Sequence, residues 1–301
     1  MDTLSSPTTR LFNSPTLRLL DSPTLRLLNT STIVASAGCF RLYVAILLAA
    51  IIPMPLIIIA YGLIVYSTYT LDRAFGCEED TVNRSELSGA NKYIGIGVSM
   101  FAFLTGALIL ATDQIYLASI LPFIIGYIYS KGLSFGGYKL KLKGSMGSKN
   151  VVIGLTWGGS IALIISRFTP NILTVAAVFF FFGIKMFINS TLFDFKDVKG
   201  DLASGIRTLP VCLGETRTKC LLFGLCISLY SGMILSMLYG FIHPEWTLLA
   251  VSFLFTASFI IFYSVGFEER TSGIIKKFRQ WMVIGEWPVA LLLQGAVNLI
   301  I

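Results

Sequence analysis

Apolar residues fall along the chain in nine blocks separated by short polar stretches, at roughly 31–50, 54–72, 93–112, 114–131, 150–167, 171–191, 219–240, 246–266 and 280–300. A helix needs about 20 apolar residues to cross the hydrocarbon core of a bilayer. The pattern therefore predicts an all-α polytopic membrane protein with nine transmembrane helices. Glycine and proline inside the blocks fit that reading, because neighbouring helices re-satisfy the backbone groups they free. Pro53-Met54-Pro55 predicts a tight turn between the first two spans, and Thr112-Asp113 a hairpin between the third and fourth.

Charge sharpens the picture. Of the 23 Lys and Arg residues, 20 lie before the first block or in every second loop, and only Arg167 lies in the alternate loops. Basic loops stay on the cytoplasmic side, which predicts an integral cell-membrane protein with its N-terminus inside. All acids except Asp113, Glu245 and Glu286 share that side, so chemistry is expected to face the cytoplasm. The chain is 55% hydrophobic and 13% charged, half the charge of a soluble domain at about 25%. Its net charge of +7 is distributed as membrane orientation rather than as a nucleic-acid footprint. The five cysteines form no C-x-x-C pair and His243 is the one histidine, so neither a zinc nor an iron–sulfur site is expected.

Residues 6–32 repeat with a period of eight, each copy opening on Ser-Pro-Thr at Ser6, Ser14 and Ser22. A proline in each copy interrupts any continuous helix. Residues 1–30 are thus expected to form a disordered low-complexity tail, or one lying on membrane lipid through its Leu/Arg pairs. Residues 31–301 form the transmembrane domain.

The chemistry concentrates after the sixth block. Asp194, Asp197 and Asp201 are spaced i, i+3, i+7, which on a helix places them within about 60° of one another. Clustered carboxylates repel unless a cation holds them, and a hard ion such as Mg²⁺ suits both carboxylate and phosphate oxygens. A second acidic cluster, Asp72 with Glu78, Glu79 and Asp80, follows the second block. Two such clusters suit a metal-bound diphosphate at a membrane surface.

These residues carry a resemblance. Asp194, Asp197, Gly200 and Asp201, with the tail Gly205-Ile206-Arg207-Thr208-Leu209-Pro210 and then Leu213-Gly214, resemble the second aspartate-rich motif of the UbiA superfamily of intramembrane prenyltransferases. Asp80, Asn83 and Arg84 resemble the end of its first motif, and the likeness covers about residues 31–301. The resemblance implies a nine-helix bundle with a central cavity open to the cytoplasmic side. It implies Mg²⁺-dependent transfer of a prenyl group from a polyprenyl diphosphate to a lipophilic acceptor. One Mg²⁺ is then expected on Asp194, Asp197 and Asp201, and another on Asp72, Glu79 and Asp80. The first motif departs from the family pattern, with Gly76 where its middle aspartate belongs and Asp72 where its asparagine belongs, as in a divergent branch.

The loop Tyr138-Lys139-Leu140-Lys141-Leu142-Lys143, continuing to Lys149-Asn150, resembles the basic loop of the family. Lys141, Lys149, Arg207 and Asn83 are accordingly expected to bind substrate, although positive-inside charge accounts equally for any single lysine. Among Tyr66, Tyr69, Tyr127 and Tyr129, Tyr129 is the preferred aromatic face for an allylic cation, against the ordinary enrichment of tyrosine at membrane interfaces. Lys185 and Asn189 sit where the family places a basic residue and an asparagine. Lys185 is open to diphosphate contact or to snorkelling. Arg41 and Glu286 are open to lining the acceptor pocket or to pairing within the bundle. Three rival readings differ in class. A CDP-alcohol phosphotransferase requires an Asp-Gly-x-x-Ala-Arg signature that is absent. A transporter site belongs near the bilayer midplane. A non-catalytic cation- or diphosphate-binding relative is suggested by Gly76.

Overall fold

The computed structural model describes residues 22–75, 87, 89–131, 133–135, 138–140, 146–203 and 205–300, with side chains at 129–140, 276 and 300 set aside. Every predicted apolar block is helical. The helices are α1 (Pro23–Leu48), α2 (Pro55–Phe75), α3 (Lys92–Thr112), α4 (Tyr116–Lys131), α5 (Ser148–Ser166), α6 (Ile172–Ala203), α7 (Leu209–Leu238), α8 (Trp246–Phe262), the single turn α9 (Phe267–Arg270), α10 (Phe278–Ile284) and α11 (Glu286–Ile300). One departure from the all-α expectation is a small antiparallel hairpin, β1 (Leu133–Phe135) with β2 (Tyr138–Leu140).

Nine crossings were expected. Among the described residues six helices, α1, α2, α3, α5, α6 and α7, are long and apolar enough to span, and a seventh if the bent pair α10–α11 counts as one. The remaining two blocks form shorter apolar helices, Tyr116–Ile128 within α4 and Trp246–Phe262. Pro122 interrupts the hydrogen-bond ladder of α4, and α8 stops at Tyr263, which is extended.

The first helix starts at Pro23, not at residue 31, so the third repeat copy is helical. Its proline occupies the first turn, where the missing N–H costs nothing. The Ser22 hydroxyl caps the helix by accepting from the Leu25 N–H at 3.3 Å. The proline that was expected to break a helix here begins one.

The helices close a ring. α1 packs on α2, α2 on α4, α4 on α5, and so on through α6, α7 and α8 to α11, which returns to α1; α3 lies outside, against α2 and α4. Backbone and side-chain bonds tie the turns at one end. His243 N–H donates to Leu48 O at 2.8 Å, Thr174 Oγ1 to Phe241 O, and Arg167 Nε to Asp113 O. The opposite end holds Asp72, Lys149, Asp194 and Arg207.

Two features set the interior. The α5–α6 crossing is a glycine contact. A Cβ on Gly158 would lie 2.7 Å from Gly183 Cα and 2.8 Å from Phe179 O, and one on Gly154 2.6 Å from Gly183 O. Only glycine permits that approach, the usual means by which membrane helices gain packing area without a hydrophobic drive. Deeper in the ring, among Phe181, Phe182 and Trp287, a buried ion pair joins α6 to α11: Lys185 Nζ is 2.6 Å from Glu286 Oε1. Lys185 also donates to Thr256 Oγ1 at 2.6 Å and Tyr230 OH at 3.2 Å, and Ser252 Oγ donates to Glu286 at 2.5 Å. Of the two readings open for Glu286, pairing within the bundle is the one seen. The break at Gly285 bends α10 from α11 by 48° and leaves Pro288 in the first turn of α11, where it is tolerated.

Two outcomes test this packing. Gly158→Leu should separate α5 from α6 and lower the melting temperature in detergent, whereas Gly97→Leu, on open surface, should leave it unchanged. Glu286→Ala strands the Lys185 charge and should cost about 3–5 kcal/mol, while Lys185→Met with Glu286→Leu should recover most of that loss. Reversible unfolding in mixed micelles measures both.

Candidate active site

The site is built on the last turns of α6. The helix has 32 residues and is about 48 Å long at 1.5 Å per residue, against a hydrocarbon core of about 30 Å. Its final turns therefore extend past one face of the bilayer. Asp194, Asp197 and Asp201 all lie on this extension, on one helical face as their spacing predicts. Asp194 is 1% and Asp201 2% exposed, and Asp197 is half-buried.

The glycines and proline of the motif are helix punctuation. Gly205 has φ +69°, and Ile206 N–H donates back to Asp201 O at 2.8 Å, which closes α6 directly after its last carboxylate. Pro210 sits in the first turn of α7. Gly214, at φ +77° and ψ 169°, then breaks that helix, a conformation costly for any residue with a Cβ.

The opposing wall comes from the start of α5. Lys149 Nζ lies 2.8 Å from Asp194 Oδ1. Asn150, fully buried, donates from Nδ2 to Asp194 Oδ2 at 2.8 Å and to Thr191 Oγ1 at 3.0 Å. Asp194 thus has both oxygens engaged. Asp201 Oδ2 and Asn150 Oδ1 are buried without a hydrogen-bond partner among the described residues. Such acceptor-only oxygens fit a hard divalent cation or its waters. Among the described residues, three carboxylates do not converge on a common point, since Asp194 is turned toward α5. Arg279 on α10 adds a second positive charge. It is 3.0 Å from Glu268, stacks over the Phe193 ring at 4.9 Å, and its field reaches Asp197.

The other expected residues are placed unevenly. Asp72 is half-buried on the last turn of α2, beside Tyr69, which stacks on Trp157 at 5.6 Å. Arg207 is exposed between α6 and α7, and Asn189 is buried on α6. Lys185 lies nine residues before Asp194, about 180° around the helix, and is engaged with Glu286. Tyr129 is on α4 with its side chain set aside, and Glu79, Asp80, Asn83, Lys141 and Gly76 lie outside the described residues. Asn150, Thr191 and Arg279 were not singled out from sequence. Asn150 opens the fifth apolar block directly after the basic loop, and no local signal marks it.

A ring of apolar helices with buried carboxylates and a facing lysine at one end defines an integral membrane protein with a polar cluster at the end of its bundle. The chain belongs to the UbiA prenyltransferase family, whose pattern matches residues 56–284. A digeranylgeranylglyceryl phosphate synthase of Sulfurisphaera tokodaii is 27% identical over 180 residues, covering 56% of this chain and 61% of that protein. The chain thus spans under two thirds of that relative's length. Among solved structures, one from work on digeranylgeranylglyceryl phosphate synthase in membranes superposes with a TM-score of 0.56 at 15% identity, over 91% of this chain and 96% of that one. A UbiA homologue of Archaeoglobus fulgidus, bound to DMAPP and Mg²⁺, superposes with a TM-score of 0.53 at 15% identity, over 90% and 99%. An apo UbiA homologue of Aeropyrum pernix K1 gives 0.56 at 12% identity, over 89% and 98%. At these identities the structures establish the fold.

Removing the clasped carboxylate tests the site's electrostatics. Asp194→Ala leaves the buried Asn150 amide without one of its two acceptors and should cost about 1–3 kcal/mol. Lys149→Met should cost less, since Lys149 is partly exposed and Asp194 keeps its Asn150 bond. Thermal unfolding of the two variants side by side gives the order.

Proposed function

We propose that the protein transfers a prenyl group from a polyprenyl diphosphate to a lipophilic acceptor within the membrane, in a Mg²⁺-dependent reaction. The observation that carries this reading is the buried pair of carboxylates, Asp194 and Asp201, facing Lys149 where α6 leaves the bilayer. Asp194, Asp197 and Asp201 form one half of the ion-binding set, and Asp72, Glu79 and Asp80 the other. A magnesium ion bound there supplies charge neutralisation for the leaving diphosphate.

The rest falls to the chain itself. Lys149 and Arg207, with Lys141 and Asn83, offer point charges and donors to the diphosphate oxygens. As the allylic C–O bond breaks, its electron pair stays with the diphosphate, and these fixed charges stabilise it because they need no reorganisation. The apolar ring takes the prenyl tail and excludes water, so the allylic carbon meets the acceptor's nucleophile and not solvent. Tyr129 and the stacked pair Tyr69–Trp157 offer aromatic faces to the developing positive charge. The new bond forms at that carbon and the acceptor releases a proton. Asn189, buried on α6 between Lys185 and Asp194, offers a further polar group to the substrate, and Lys185 acts through the bundle.

The nine apolar blocks, with the bent α10–α11 as one and α4 and α8 as short crossings, support nine passes around a central cavity. The basic residues at the site end support a cytoplasmic site and an inside N-terminus. The names of the relatives favour a glycerol-based lipid carrying one geranylgeranyl chain as acceptor.

Purified protein in lipid vesicles, supplied with radiolabelled geranylgeranyl diphosphate, Mg²⁺ and geranylgeranylglyceryl phosphate, should yield a labelled lipid that has lost the diphosphate. Asp194→Ala with Asp201→Ala should abolish it, a loss of about 10³-fold or more for removing the charge-stabilising machinery. Product from a host lipid extract but not from the glycerol lipid would move the acceptor elsewhere. Absence of diphosphate binding in the wild type would sink the reading.

A further inference from the structure

Asn150 is fully buried on the first turn of α5, and its amide has one allowed orientation. Thr191 spends its hydroxyl hydrogen on Phe187 O at 2.8 Å, so toward Asn150 it accepts. Asp194 Oδ2 is a carboxylate oxygen and can only accept. Both partners require the amide nitrogen, at 3.0 and 2.8 Å; a flipped amide would set its oxygen against a carboxylate. Both amide hydrogens are consumed, and Oδ1 is left buried without a donor among the described residues. Asp201 Oδ2, on the same face of α6, is also buried without a bond, although the Thr208 hydroxyl lies beside that carboxylate. Two acceptor-only oxygens flank a carboxylate whose own oxygens are both engaged. The Thr208 hydroxyl beside Asp201 is a donor within the chain, but Asn150 Oδ1 has none among the described residues, and the water shell that a small divalent ion retains supplies one.

We propose that Asn150 is a positioning residue of the diphosphate site. Through Nδ2 it fixes the Asp194 carboxylate, and through Oδ1 it accepts a hydrogen bond from a water carried by the divalent ion. The inference rests on the diphosphate reading above. The amide is suited to both tasks because it holds a donor pair and a neutral acceptor on one rigid plane, without adding a charge beside Asp194.

The test uses full-length protein in nanodiscs with Mn²⁺ and inorganic pyrophosphate as probes. Mn²⁺ binding is read by electron paramagnetic resonance, and thermal unfolding is followed with and without the ion. Asn150→Leu keeps the branched four-atom shape and removes every polar side-chain atom. It should weaken Mn²⁺ binding by about tenfold or more, as loss of an outer-sphere partner does, and shrink the ion-induced rise in melting temperature. Asn150→Asp restores the oxygen but sets two carboxylates together. It should have the lowest ion-free melting temperature yet bind Mn²⁺ at least as tightly as the wild type. A merely structural role predicts the opposite, with affinity following stability and Asn150→Asp worst in both. That result, or wild-type Mn²⁺ binding in Asn150→Leu, overturns the proposal. Should Asn150→Leu not fold, Thr191→Val frees one amide anchor and must weaken binding in the same direction. Asp194→Ala with Asp201→Ala separates the levels. If that variant binds Mn²⁺ normally the diphosphate reading itself fails, whereas its loss alongside normal binding in Asn150→Leu refutes the Asn150 role alone.

Discussion

A carboxylate that is almost wholly buried must have its charge answered, and much of this bundle is arranged around the answer given to Asp194. Its two oxygens are met by Lys149 and Asn150, consecutive residues at the start of α5. Those residues reach it because α5 and α6 approach at Gly154 and Gly158, where a Cβ would run into the backbone at Gly183. Backbone approach, helix pairing and site electrostatics are thus one constraint. Widening the crossing removes the counter-charge, and removing the counter-charge leaves an unanswered anion at the membrane boundary.

The same rule operates a second time, deeper in the ring and on the other side of α6. Lys185 and Glu286 neutralise each other across α6 and α11, with Tyr230, Ser252 and Thr256 from α7 and α8 completing their hydrogen bonds. One helix therefore carries two polar faces at two depths. The outer face is met by Lys149 and Asn150 of α5, while the inner face is closed on itself. This division accounts for Lys185, open in the sequence to diphosphate contact or to snorkelling, being paired with Glu286 inside the bundle.

What the sequence disclosed follows from which signals are local. Apolar block length and the i, i+3, i+7 acids are written within single segments, and they predicted the helices and the aspartate face. The Ser-Pro-Thr repeat misled because proline breaks a helix interior but suits its first turn, and only the Ser22 cap shows that Pro23 holds that position. The partner of Lys185 was not legible, because a lysine on α6 and a glutamate on α11 meet only through ring closure. Asn150 was hidden for the same reason. Its sequence neighbourhood is a basic loop, and its importance comes from Thr191 and Asp194, two turns of another helix.

Ring closure also bears on how the chain assembles. α11 seals the seam between α8 and α1, and it carries Glu286, the carboxylate that neutralises Lys185. During synthesis α6 is made well before α11. Until α11 arrives, the Lys185 ammonium has hydroxyl partners from α7 and α8 but no counter-ion among the described residues. An intermediate lacking α11 is therefore open at its side and carries an uncompensated charge toward that opening. Closing the wall and cancelling the charge are a single event, so a bundle with the final helix misplaced is penalised in electrostatics as well as in packing, and the correct arrangement is selected late and decisively.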